Sequence, residues 1–268
     1  MTVYINDLSV IAPGLVERDP ALAILRGDRE WAFEEMPSLK PKMLPANERR
    51  RTTNLIRLAL ESIQHLVRAS DDLERVSTVF VSSDGDLEIT DKLCMALAQD
   101  DKMVSPTLFH NSVHNAPAGY WSIAAAMQGP STSISAANAS FASGLQEAVA
   151  QVAVDGNTVL FVAYDYPAPL LLKRLRHFSH PMAIALRLGS KAEDDAYGRL
   201  ELVGREVHDD LSYCKNDSLQ ALQEASPVGA GLPLLEALVR KQGGQIILPY
   251  LRGEKFKVTV SLRGQIND

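Results

Sequence analysis

The sequence predicts a layered α/β fold, and three features carry that expectation. Strand-like and helix-like segments alternate densely along the chain. Two runs, "STVFVSS" (77–83) and "NTVLFVAYD" (157–165), read as a short buried strand and a central strand. The third feature is "TSISAANASFASGLQEA" (132–148), which climbs from a polar, β-branched run through a knot of Ala, Asn and Ser into an amphipathic helix. Such a strand–turn–helix presents one side chain at a helix N-terminus, where N–H groups and the dipole favour a thiolate or an oxyanion. No cysteine stands in this turn.

The elements follow in order. "VYINDLSVIA" (3–12) reads as a first strand pair ending at Pro13-Gly14, and residues 20–42 read as irregular, with Trp31 and Phe33 packing a loop. Residues 53–69 place Leu55, Ile56, Leu58, Ala59, Leu60, Ile63, Leu66 and Val67 on a wide helical stripe, which predicts burial on more than one side. Residues 87–99 read as a helix. Residues 112–127 begin as a turn, "HNAPAG", and continue as a helix of small residues. "STSISA" (131–136) is the strand that feeds the knot, and residues 143–154 form the helix after it. "MAIALRL" (182–188), "GRLELVGREV" (198–207), "GQIILPYL" (244–251) and "EKFKVTVSL" (254–262) add strands, with a helix over 232–241. The polar stretch "GSKAEDDAYG" (189–198) is the expected soft boundary.

Bulk properties exclude several classes. With 46% apolar residues the chain is an ordinary globular protein, and 268 residues suffice for a sizeable core. A formal net charge of −6 argues against a nucleic-acid binder that neutralises phosphates. Two distant cysteines, Cys94 and Cys214, give neither a disulfide framework nor a metal-ligand spacing. No metal and no cofactor is expected. The start "MTVYINDLSVIAPGL" lacks the basic and apolar regions of a signal peptide, and nothing later is apolar for about 18 residues. A soluble cytoplasmic protein without membrane insertion is the expectation.

From Phe109 to Leu145, "FHNSVHNAPAGYWSIAAAMQGPSTSISAANASFASGL", the chain resembles the β-ketoacyl synthase superfamily. Asn115-Ala116-Pro117-Ala118-Gly119 stands where that family has an Asn-x-x-Ala-Gly turn. Gly129-Pro130-Ser131 stands before the strand that carries its catalytic cysteine. "LSVIAPG" (8–14), "STVFVSSDGDLEITDKL" (77–93) and "DGNTVLFVAYD" (155–165) extend the likeness over residues 1–190. The resemblance implies a thiolase-like layered αβαβα fold. Residues 1–190 would form its N-terminal half, with a shortened C-terminal half, 191–268, packed on it as one compact unit.

Two departures bear on function. Counting back from Ser143-Gly144 puts Phe141 in the cysteine's place, while counting forward from Ile134 puts Asn138 there. Neither is a thiol. The family's two late histidines are also missing, since no histidine follows His208; "SPVGAGLPLLEALV" (226–239) looks like the corresponding helix without one. A ketosynthase frame without its nucleophile resembles the chain-length factors of type II polyketide systems, in the small form of bacterial aryl-polyene pathways. That resemblance implies a heterodimer with a catalytic ketosynthase subunit, acting on acyl chains carried by acyl carrier protein, with no catalytic residue in this chain.

The degenerate elbow then spans Asn138, Ala139, Ser140 and Phe141. Phe141, Asn138, His110, His114 and Asn115 are the candidates for the acyl tunnel or the dimer interface. Arg49, Arg50 and Arg51 are candidates for an acidic carrier protein. Each has a plainer reading. Phe141 fills core, His110 and His114 make structural hydrogen bonds, and the arginine run is a solvated helix start. His177 and His180 lack further ligands at zinc spacing. The competing functions are a hydrolase or acyltransferase using Ser140 or a displaced cysteine, and a structural scaffold. Ser140 has no acid nearby and no G-x-S-x-G pattern around it.

Overall fold

The computed structural model describes residues 1–174, 176, 178–206 and 208–262. Among these the strands are β1 (Thr2–Ile11), β2 (Ser77–Val81), β3 (Ser131–Ile134), β4 (Val159–Asp165), β5 (Met182–Gly189), β6 (Gly198–Glu206), β7 (Gly244–Pro249) and β8 (Lys255–Ser261). They join in one sheet of order β3-β2-β4-β5-β1-β6-β8-β7. Only β2 with β3 and with β4 pair in parallel; the other pairings are antiparallel. The helices are α1 (Arg18–Arg26), α2 (Ala46–Arg49), α3 (Asn54–Gln64), α4 (Leu87–Leu97), α5 (Pro106–Asn111), α6 (Ala116–Ala125), α7 (Ser140–Asp155), α8 (Gln220–Glu224) and α9 (Leu232–Val239).

The unbroken apolar run of β4 follows from its place in the middle of the sheet. Val159, Phe161 and Ala163 enter one core with side chains of α1, α7 and α9, while Leu160, Val162 and Tyr164 enter a second core with α3 and α6. Alternate side chains point to opposite faces of a strand, so a strand covered on both sides has no polar positions to spare. The result is the layered α/β fold with a truncated C-terminal half. The shortening is realised in a particular way. β6, β8 and β7 extend the same sheet beyond β1, so among the described residues one sheet between two helical layers stands where the full αβαβα stack has two.

Some elements differ from the sequence reading. The first "strand pair" is a single strand, β1, with a register shift between Ile5 and Asp7. Asn6 sits at that bulge and replaces ladder bonds with its side chain: Nδ2 donates to the Lys191 carbonyl, and Oδ1 accepts from the Glu193 amide. The stretch read as irregular starts with α1, whose buried Ala21, Ile24 and Leu25 have helical spacing. α7 begins at Ser140, three residues early, and α3 stops at Gln64. Val207, the last residue assigned to the strand at 198–207, and His177 lie outside the described residues.

One buried polar position is informative. Arg187 lies on β5, 4% exposed. Its guanidinium donates to both Asp71 oxygens (2.6 and 2.9 Å), to Glu193 (3.0 Å) and to the Leu66 carbonyl (3.2 Å). The fork-on-carboxylate geometry satisfies a charge that would otherwise be costly to bury.

The two edges of the sheet are unlike. On β7, the Ser212 amide donates to the Ile247 carbonyl and the Ile247 amide donates to Ser212 Oγ. The strand ends at Pro249, which has no N–H to offer. On β3, the Pro130 and Ile134 carbonyls accept from Thr78 and Ser82 of the β2 side. Alternation then turns the backbone groups of Ser131 and Ser133 to the open side.

Candidate functional site

The parallel strands β2, β3 and β4 deliver their C-terminal ends to one place, where α/β sheets commonly bind ligands. After β3 the chain turns through Ser135 and Ala136, and Ala137 adopts φ 48°, a left-handed conformation that alanine rarely takes. A 3₁₀ turn, Ala137–Ala139, leads into α7. Ser140 holds this turn. Its hydroxyl donates to the Ala137 carbonyl at 2.7 Å and accepts from the Ala136 amide at 2.9 Å. The Ala139 amide donates to Ala136, and the Ser140 amide to Ala137.

Ala137 and Asn138 are exposed at the apex, while Ser140 (3% exposed) and Phe141 (2%) lie below them. Phe141 stands edge-on to Phe161, centroids 5.4 Å apart, within the core cluster that α7 shares with α9. The helix starts before Phe141, and its ring turns into that core. Three turn amides are used internally, and the Ser140 hydroxyl proton is committed to a backbone carbonyl.

Beside the apex, Asp165 closes β4. It is 2% exposed and accepts from the Ser83 amide (2.8 Å), the Ser83 hydroxyl (2.6 Å) and the Ser82 hydroxyl (3.2 Å). Burial pushes its carboxyl up to about 6, against the pull of these hydrogen bonds. The Ser83 carbonyl accepts from Ser135 Oγ, which ties the clasp to the turn. Arg176 reaches over the apex, donating from Nε to Asp84 at 2.6 Å and from Nη1 to Asn138 Oδ1 at 3.2 Å. The sequence reading missed Asp165, Asp84 and Arg176. A carboxylate closing a wholly apolar strand was the one available signal.

A cleft of about 550 Å³ opens beside Asn138, lined by Arg176, Phe178, Tyr213, Ser226 and Pro249 among others. Gln223 fixes one wall by accepting from the Cys214 amide and donating to the Ser212 carbonyl. Cys214 is buried, which pushes its thiol up to about 12, and Cys94 is exposed on α4. Neither lies in the turn. Among the described residues no group of three or more His, Cys, Asp or Glu side chains is placed to hold a metal ion, and no helix is long and apolar enough to cross a membrane.

The remaining candidates lie apart from the apex. His110 is exposed at the end of α5, with its ring edge-on to Tyr120. His114 is half-buried, with Nε2 3.3 Å from the Ser82 carbonyl, so it touches the strand end that carries the Asp165 clasp. Asn115 is exposed at the start of α6. Of the basic run, Arg49 donates to the Pro41 carbonyl and Arg51 lies 3.7 Å from Glu48, while Arg50 is exposed. The elements from α4 to α6 also expose Met95, Leu97, Met103, Phe109, Val113 and Ile123, each by more than half.

Comparison with known proteins agrees with this architecture. Residues 26–244 match the family model described as β-ketoacyl synthase, N-terminal domain. A chain of the ketosynthase (ApeO) in complex with its chain length factor (ApeC) from Xenorhabdus doucetiae is 26% identical, with a TM-score of 0.73 over 97% of this chain and 99% of that one. The ishigamide ketosynthase/chain length factor aligns at 14% identity and a TM-score of 0.71, over 98% and 100% of the two chains. A structure titled AntDE:AntF, a type II PKS acyl-carrier protein in complex with its ketosynthase, aligns at 12% and 0.76, over 98% and 99%. These last two show the fold alone. No curated protein is similar enough to count as a match. With the family model covering most of the chain and the strand–turn–helix in place, the chain belongs to the β-ketoacyl synthase family.

Proposed function

We propose that this chain is a non-catalytic, chain-length-factor-like subunit that pairs with an active β-ketoacyl synthase. Together they elongate acyl chains of polyene, polyketide or fatty-acid type on acyl carrier protein. The carrying observation is the apex. The family's frame is intact down to its turn, yet the presented side chain is Asn138, an amide with no nucleophilic lone pair at working pH. The end-to-end likeness to a chain from a ketosynthase–chain length factor complex supports the same reading.

The open edge of β3 and the apolar residues of α4 to α6 are the proposed seam, with His110 and Asn115 on that side and Asn138 and His114 nearer the growing chain. Arg50 is the member of the basic run best placed to meet an acidic carrier protein. Two free cysteines accord with a reducing, cytoplasmic setting. A self-sufficient serine or cysteine enzyme is the weaker reading, since Ser140 Oγ is spent on the turn and burial holds Cys214 as a thiol.

Co-expression with the ketosynthase of the same host tests the proposal. A stable heterodimer whose product length changes when this chain is exchanged is the expected result. A well-behaved monomer that ignores the ketosynthase would sink it.

A further inference from the structure

Beyond Asn6, β1 keeps its ladder on one side only. Toward β5 it pairs as far as Ile11, whereas β6 pairs with residues 2–5 and then leaves. By alternation along the strand, the N–H and C=O groups of Leu8, Val10 and Ala12 point away from β5. The two outer residues have partners there. The Leu8 carbonyl accepts from Arg18 Nη1 at 2.8 Å and its amide donates to Asp7 Oδ1 at 2.8 Å. Ala12 exchanges both backbone bonds with Leu15 across the Pro13-Gly14 turn. Between them Val10 is 6% exposed, and among the described residues nothing bonds to its outward N–H or C=O.

A buried peptide group without partners is costly, and native chains rarely leave one. Its cause is local. The chain returning from the turn would bring Glu17 opposite Val10, but the Glu17 carbonyl already accepts from the Ala21 amide (3.0 Å) at the start of α1. The two arms splay around a notch of about 240 Å³, lined by Val10, Ile11, Val16, Ala21, Leu22 and His65. That is below the roughly 300–1,000 Å³ of cofactor or drug-sized ligand sites. The edge from Leu8 to Ala12 runs about 13 Å, room for about three extended residues. The rim is acidic. Arg18 is spent on Asp7 at 2.5 Å, His65 faces Glu61 at 3.8 Å, and exposed Glu17 has no ion pair among the described residues.

We propose that this notch is a docking site for an extended peptide segment of another protein, one residue of which exchanges both backbone bonds with Val10. The side chain of that residue turns to the same face as Val10, against Ala21 and Leu22, so it is apolar and of modest size. Its neighbours are basic, answering Glu17. The notch lies apart from the apex and from β3, and the proposal does not rest on pairing with a ketosynthase.

The probe is the peptide acetyl-Lys-Val-Lys-N-methylamide, titrated by NMR into the full chain isotope-labelled at the serine carbonyl and the valine nitrogen. Ser–Val peptide groups occur only at Val10 and Val113, and Val113→Ala at an exposed position identifies the Val10 signal. The Val10 amide proton should move downfield saturably, with half-saturation on the order of 1 mM. The same peptide with N-methylvaline at its centre cannot donate to the Val10 carbonyl and should bind about tenfold more weakly or worse. A peptide with Glu in place of both lysines should also bind more weakly, and Glu17→Gln should narrow that difference. A Val10 signal unmoved up to about 10 mM peptide overturns the proposal. So does an equal response to the N-methylated peptide. A Val10 amide in lasting contact with water and indifferent to the peptide means a hydrated notch only, and overturns it as well.

Discussion

Gly231 lies so close to Phe141 that a Cβ on it would sit 2.3 Å from the ring's Cε2 and 2.4 Å from its Cζ. The glycine is required by close approach: it lets the turn before α9 close over the ring that α7 sends into the core. Gly231→Ala should therefore cost about 1–3 kcal/mol by overpacking. Combining it with Phe141→Leu should recover part of that loss, because the two sites share one space. Urea unfolding of the two single variants and the double variant checks this; strict additivity would mean the contact is relieved elsewhere.

Phe141→Ala should lower stability by about 3–5 kcal/mol, as for other buried aromatic truncations. Product length from the assembled complex should stay unchanged, since the ring faces Phe161 and not the cleft. Longer products from a still-folded complex would return Phe141 to the tunnel.

Ser140→Ala removes both hydrogen bonds of one hydroxyl and leaves the left-handed Ala137 less supported. The expected loss is about 1–3 kcal/mol. Condensation by the complex should remain within a few-fold of wild type. A collapse of turnover by orders of magnitude in an intact complex would place chemistry on this chain.

Asp165 supplies a pH dependence whose sign follows from its raised pKa. Its carboxyl titrates at about 6 in the folded chain against 3.8 ordinarily. The protonated form is thus the better tolerated one. The stability it contributes is complete below the ordinary value and is lost as pH rises through about 6, a change of about 3 kcal/mol for two units. Asp165→Asn carries no such titration. The unfolding free energy of the variant should gain on wild type by up to about that amount between roughly pH 4 and 7. Parallel stability curves would show that the carboxyl titrates normally.

Ser133→Pro should abolish pairing with the ketosynthase while leaving the fold in place. Proline removes an N–H that β2 does not use, and it obstructs a strand approaching from outside. Co-purification lost at an unchanged melting temperature is the expected pair of readings. Retained co-purification would move the seam away from β3.

Much of the fold was legible in the sequence because the strongest signals are periodic. β4, β5 and α3 announce themselves by which residues must be buried, and their positions follow. The apex was not legible, because nothing about an alanine shows that Ala137 takes a positive φ, and the one-residue effect of Ser140's hydroxyl sets where α7 begins. The bulge at Asn6 likewise depends on partners more than 180 residues away. Arg176, Asp84 and Asn138 form a cluster only in three dimensions. Their separations, 92 and 38 residues from Arg176, carry no local pattern.

The unlike edges of the sheet set how many chains can join. β7 is met by Ser212 at Ile247 and ends at Pro249, while β3 is open, so under the proposed seam the sheet would have a valence of one. If β3 is the seam proposed above, two such chains, or one and a ketosynthase, would fuse their sheets edge to edge, and the product would offer no further β3 edge for growth. A molecule with both edges open would add neighbours without limit and form fibres. On that proposal strand addition would terminate itself at the first partner, so whichever chain arrives first would exclude the rest.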